Sequence, residues 1–200
     1  MERSSIAVII AACLLVASAT RADDTYKIDP VHTTVAFAVD HLVINKVHGR
    51  FKEFDGTLVL DFKADIALKS VAGTIKTASV DTGVEARDKH LRSADFFDVE
   101  KFPEIKFECA RVRKDGERMV ALGKFTMHGV TRALRLPFTL KGPIKDPMGK
   151  TRIAVEAHTT INRLDYGLAY NKVLETGGLA VGNEIAIEIN AEAVKEEKAK

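Results

Sequence analysis

Six histidines, at 32, 41, 48, 90, 128 and 158, are the side chains in this 200-residue sequence best suited to chemistry. Imidazole can ligate a metal or move a proton near neutral pH. A locally built metal site would show H-x-x-x-H on a helix or H-x-H on a strand. Neither spacing occurs, and the two cysteines, 13 and 109, lie far apart. Only convergence of histidines from separate strands would then assemble a metal centre. Asp88 and His90 stand two apart, a spacing that points them to different sides of a helix. The chain has no G-x-S-x-G elbow, no P-loop and no G-x-G-x-x-G leading into a helix. A Ser-His-Asp triad leaves no local signature, and nothing here points to one. No local pattern marks a catalytic group, a metal site or a cofactor, and none is expected. The competing reading is an enzyme that gathers a His/Asp/Arg cluster at one end of the fold.

The elements that would position these residues are strands. In His32–Phe62 the residues Val35, Phe37, Val39 and His41 share one parity, while Thr34, Ala36, Ala38 and Asp40 share the other. Strand side chains alternate between two faces, so this is a half-buried strand. Phe54, Leu58 and Leu60 repeat the pattern, and Asn45 and Gly49 between them are expected to reverse the chain. Further alternation runs through Ile66–Ile75, Ile105–Cys109, Met119–Met127, Leu134–Leu140, Ile153–Ile161 and Ile185–Ile189. Pro137, lacking an amide donor, belongs at an edge or a bulge. Residues 84–94 lack period two and are rich in helix formers, which predicts a short helix. Phe96, Phe97 and Phe102 follow within seven residues, either as a plug against the core or as a ligand-facing group. Roughly eight strands with one helical interruption define an all-β barrel or sandwich. The irregular stretch 162–182 is long enough to suggest function.

Composition narrows the function further. With 46% hydrophobic and 29% charged residues, the chain can bury one sizeable core. Thirty basic residues against 28 acidic give a net charge of +2, which excludes any strong electrostatic case for nucleic acid. Residues 1–22 read as a secretory signal: Arg3, an apolar run from Ile6 to Val16, then cleavage after Ala19 or Ala22. Cys13 also sits in a sequence resembling a lipoprotein processing site, though the apolar run before it is short. Residues 23–200 are then one exported, soluble, periplasmic domain in which Cys109 has no disulfide partner. Inside a closed barrel of about eight strands there is room for filler side chains or for one small ligand. A long lipid chain gains about 0.8 kcal/mol per buried CH₂ there.

Four stretches carry a resemblance. IDPVHTTVAFAVDHLVINKVHGRFKEFDGTL, ASVDTGVEARDKHLRSADFFDVEKFPEIKF, the FTMHGVTR turn and TTINRLDYGL resemble the YceI-like family of exported proteins, in order, from about Tyr26 to Val194. The resemblance implies an eight-stranded antiparallel, lipocalin-like barrel with a short helical insertion near residues 84–100. It also implies a tunnel for a polyisoprenoid or similar long-chain lipid, such as a quinone tail, with a role in periplasmic transport, storage or sequestration. His41, Gly49, Phe51, Asp88, His90, Phe96, Phe97, Gly129, Asn162, Arg163, Asp165 and Gly167 match its motifs. The expected ligand-binding set is Val35, Phe37, Val39, His41, Phe54, Leu58, Ile75, His90, Leu91, Phe96, Phe97, Phe107, Phe125, Leu136, Phe138, Ile161 and Arg163. Of these, His41, His90 and Arg163 are the candidates for a polar head group, with a structural role for His41 slightly favoured. Beyond the lipid, the partners this reading raises are a membrane redox protein and a second copy of the chain in a homodimer.

Overall fold

The computed structural model describes residues 23–197 except 65, 117 and 176–177, so the expected signal segment and Cys13 lie outside the described residues. In chain order the strands are β1 (Asp24–Ile28), β2 (Thr34–His41), β3 (Asn45–Phe51), β4 (Phe54–Leu60), β5 (Leu68–Lys76), β6 (Val80–Asp81), β7 (Glu104–Asp115), β8 (Arg118–Met127), β9 (Val130–Lys145), β10 (Thr151–Asn162) and β11 (Val181–Lys195). One α-helix, α1 (Glu85–Arg92), interrupts them. Every ladder is antiparallel. The order β1-β4-β5-β7-β8-β9-β10-β11 returns on itself through a β1–β11 pairing, so eight strands close a barrel.

The other three strands extend staves of that barrel past a break. β1 pairs with Ala193–Lys195 of β11, and β2 takes up the same edge from Asn190 after the turn at Pro30–His32. β3 continues into β4 through a bend at Lys52 and Glu53, and β5 continues into β6 through Thr77–Ser79. The expected eight-stranded barrel with a helix in 84–94 is therefore the observed one, with three of its staves broken. Pro137 stands opposite Val120 of β8, just outside the β9–β10 ladder that begins at Phe138, so the residue without a donor is hydrogen-bonded on one side only.

The reversal expected around Asn45 and Gly49 takes a different form. The chain turns at Leu42–Ile44 and bends again at Lys52 and Glu53, while Gly49 lies in the middle of β3, paired with Phe37. A Cβ on Gly49 would stand 2.3 Å from Cζ of Phe37. The glycine leaves room for the tip of the Phe37 ring over the neighbouring backbone. Gly49→Ala should thus cost about 1–3 kcal/mol as the ring is forced aside, measured by denaturant unfolding.

Two buried clusters stack along the barrel. One gathers Tyr26, Leu58, Leu60, Leu68, Phe138 and Ile153, the other Val35, Phe51, Val80, Phe125, Ile161 and Tyr166. Phe107 and Ile189 pack against both. At the β1–β2 break, the Arg152 guanidinium donates to Asp29 at 2.7 Å, to Asp146 at 2.8 Å and to Glu192 at 3.3 Å. Arg152, and after it His32, hold the Asp29 carboxyl down to about 2. Because its folded value lies below the unfolded value of about 3.9, Asp29 stabilises the fold fully above that value and ceases to as pH falls through about 2. Asp29→Asn should flatten the acid limb of the stability profile between pH 4 and 2, read as unfolding midpoints across that range.

Candidate functional site

The inward parity of the staves is apolar apart from Thr159 of β10, and together these side chains wall a cavity of about 250 Å³. β2 contributes Val35, Phe37 and Val39, β4 contributes Phe54 and Leu58, and β5 contributes Ile75. Phe107, Phe125, Leu136, Phe138 and Ile161 come from β7 to β10. Leu91 of α1, with Phe96 and Phe97 after it, reaches the wall from one end, as does Arg163. The wall also includes residues outside the expected set, above all Ile185, Ile187 and Ile189 of β11, and Leu168 beyond β10. The β11 residues carry the same alternation as the other strands, which is the signal that marks them. Ile187 and Phe37 face each other across a ladder and are only half-buried, because each borders the cavity itself.

Two expected members are not on this wall. His41 follows Val39 on the same parity, but β2 has by then run past the cavity and the side chain is exposed. His90 lies on α1 with its ring turned to other partners. Its Nε2 is 2.9 Å from Asp95 Oδ2, and the ring packs edge-on against Phe96 at 5.0 Å and Tyr170 at 4.9 Å. Arg163 is on the wall, yet its donors are spent elsewhere. Nε donates to Gly182 O at 2.8 Å, one terminal nitrogen to Leu168 O and Tyr170 O, the other to Val181 O and Asn183 Oδ1. All five acceptors are neutral, and burial pushes the guanidinium below its usual range without removing its charge. His41 and His90 therefore stand off the cavity wall, while Arg163, on it, latches Leu168, Tyr170 and Val181–Asn183 through its donors.

The segment 84–102 is a plug, pinned by its polar residues. Buried Asp88 accepts from Thr82 N at 2.9 Å and Thr82 Oγ1 at 2.6 Å. Arg92 donates to Ala78 O at 2.8 Å and Val80 O at 2.9 Å, and Ser93 ends the helix by donating to His90 O. So held, Phe97 sits 5.7 Å from Phe51 and Phe96 5.0 Å from Tyr170, both facing the lumen. Plug and ligand-facing group are the same residues. Phe102 is different: it packs under His128 at 4.4 Å, covering Gly129.

Asp29, His32 and Glu192 bring three potential ligand atoms within 4.8 Å of one another. The Arg152 guanidinium donates to both carboxylates, so those oxygens serve an ion-pair network. No helix among the described residues is long and apolar enough to cross a membrane.

A closed antiparallel barrel around an apolar cavity, capped by a helical plug, is the class of protein that this geometry defines. The family model for the YceI-like domain matches residues 26–193, and the chain belongs to that family. Protein YceI of Escherichia coli O157:H7 is 39% identical over 170 residues, 84% of this chain and 88% of that protein. In solved structures the fold recurs in BcnA of Burkholderia cenocepacia, with a TM-score of 0.71 at 20% identity over 82% of this chain and 98% of that one. It also recurs in a polyisoprenoid binding domain from Saccharophagus degradans implicated in plant cell wall breakdown. There the TM-score is 0.63 at 16% identity, over 86% of this chain and 98% of that one.

Proposed function

We propose that the protein binds one long-chain lipid, a polyisoprenoid or quinone-like tail, inside the barrel and carries or sequesters it in the periplasm. The observation that carries this reading is the apolar cavity enclosed by all eight staves and the plug. A polar ligand entering it would lose its bonds to water with few partners in return, whereas each buried CH₂ gains about 0.8 kcal/mol. The cavity lies below the roughly 300–1,000 Å³ of drug-sized pockets, which suits a slender chain better than a broad ring system. The polyisoprenoid binding named for the Saccharophagus domain fits the same ligand class. The signal-like residues 1–22 support export, and a membrane redox protein is the partner to which a quinone-like cargo would pass. The enzyme reading has no observation in its favour, since His41 and His90 stand off the cavity wall and Arg163 is committed to carbonyls.

The test is organic extraction and native mass spectrometry of the protein purified from its own periplasmic fraction. One long-chain lipid per chain is expected. Its absence across preparations, or the protein's absence from that fraction, overturns the corresponding half of the proposal.

A further inference from the structure

The turn between β2 and β3 places large aliphatic side chains where the backbone least favours them. Ile44 N donates to His41 O at 3.2 Å, and the two residues between have positive φ, +53° at Leu42 and +64° at Val43. Glycine and asparagine suit such positions, and a β-branched residue there is a true outlier. Strain of this kind persists where something other than the turn selects the side chains. The side chains are also out in water: Val43 is 74% exposed and Ile44 85%.

A second loop stands beside this one. Leu42 N donates to Ala180 O at 2.9 Å, Ala180 N to Lys172 O at 2.9 Å, and the Asn171 side chain donates from Nδ2 to Val181 O and accepts from Val181 N at Oδ1. Val173 bridges to Leu179, and a Val43 methyl lies over Gly178. Val173 is 76% exposed. The two loops thus make one braced finger ending in Leu42, Val43, Ile44, Val173 and Leu179. It stands at the cavity's plugged end, because Val39 and Val181, just inward on the same two strands, line the cavity.

Charge and area say what meets it. Lys46 is paired with Asp40 at 2.8 Å, and Lys172 is offset by Glu175 in the same loop, so the finger carries no net charge to repel or recruit an ionic surface. Five aliphatic side chains, of which Leu42 and Leu179 are only 37% and 38% exposed, offer well under the roughly 800 Å² per partner that a standard protein interface buries. A fluid apolar phase needs no such area and no matched shape. We propose that the finger inserts into the surface of a zwitterionic phospholipid bilayer and holds this end of the cavity against it, so that lipid can pass between membrane and barrel. In purpose, though not in geometry, this rests on the lipid-binding reading above.

The chain contains no tryptophan, so Ile44→Trp supplies a unique reporter at the tip. Vesicles of phosphatidylcholine and phosphatidylethanolamine should shift its emission to the blue. Brominated acyl chains should quench it, with little dependence on salt. Adding Val43→Ser should weaken partition at least about tenfold. Met148→Trp, 80% exposed on the β9–β10 loop, should not respond. The proposal is overturned if position 44 ignores vesicles, if only anionic vesicles shift it, or if it shifts with protein concentration alone, which would mean that a second copy covers the tip. Failure of the lipid-binding reading looks different: the tip inserts, yet extraction recovers no lipid.

Discussion

Arg163→Met should destabilise the protein by about 3–5 kcal/mol, the cost of leaving several buried carbonyls unsatisfied at about 1–3 kcal/mol each. Arg163 is 2% exposed and gathers acceptors from Leu168 and Tyr170 beyond β10 and from Val181 to Asn183 at the start of β11. Methionine can fill the space of the stem but takes away the donor that Gly182, Leu168 and Tyr170 carbonyls share, while Val181 O keeps its bond from Asn171. Arg163→Lys keeps the charge and offers at most three donors in place of five, so it should recover only part of the loss. Denaturant unfolding gives the magnitudes, and hydrogen exchange gives the location, with faster exchange concentrated in 168–182. A loss under about 1 kcal/mol for methionine would remove the latch. Full rescue by lysine would mean that charge, and not the planar fork, holds the loop.

Residues 168–183 show where local reasoning reaches its limit. Alternation along one strand reports which face is buried, and it led to Val35, Phe37 and Val39 because burial in a sheet is a property of adjacent residues. The same rule placed His41 inside, one step too far, because parity continues after the cavity has ended. Arg163 stands out as a head-group contact from its place in a family motif and its charge. Its role is decided by carbonyls up to twenty residues away, and carbonyl direction leaves no mark in a sequence. Gly49 illustrates the same limit in the backbone. A glycine serves turns and close approaches alike, and only the β2–β3 register, which sets it against Phe37, separates the two. The breaks in three staves were hidden for a related reason: Pro30–His32, Lys52–Glu53 and Thr77–Ser79 are short enough for alternation to resume on the far side. Helix α1 was legible because its cue is local, a loss of period two among good helix formers.

Ile187→Trp should cut lipid recovery about a hundredfold while costing the fold under about 1 kcal/mol. Ile187 lies midway along β11, paired with Phe37 of β2 on one side and Thr159 of β10 on the other, and it borders the lumen. An indole there would enter space that the wall leaves unfilled. In a packed core such a change costs about 1–3 kcal/mol through forced rotamers. Against a void it should cost under about 1 kcal/mol, since new dispersion contacts replace contacts that were missing. Lipid bound per chain should fall by about a hundredfold, because a chain and an indole cannot share a lumen of about 250 Å³. Ile187→Ala, which widens the lumen, should keep the lipid. The pair separates two physical situations that a single variant would confuse. A tryptophan variant that is destabilised and still carries lipid would show that the ligand sits outside the barrel. A stable, empty tryptophan variant beside a loaded alanine variant would locate the site in the lumen, since only the volume available at one position differs between them.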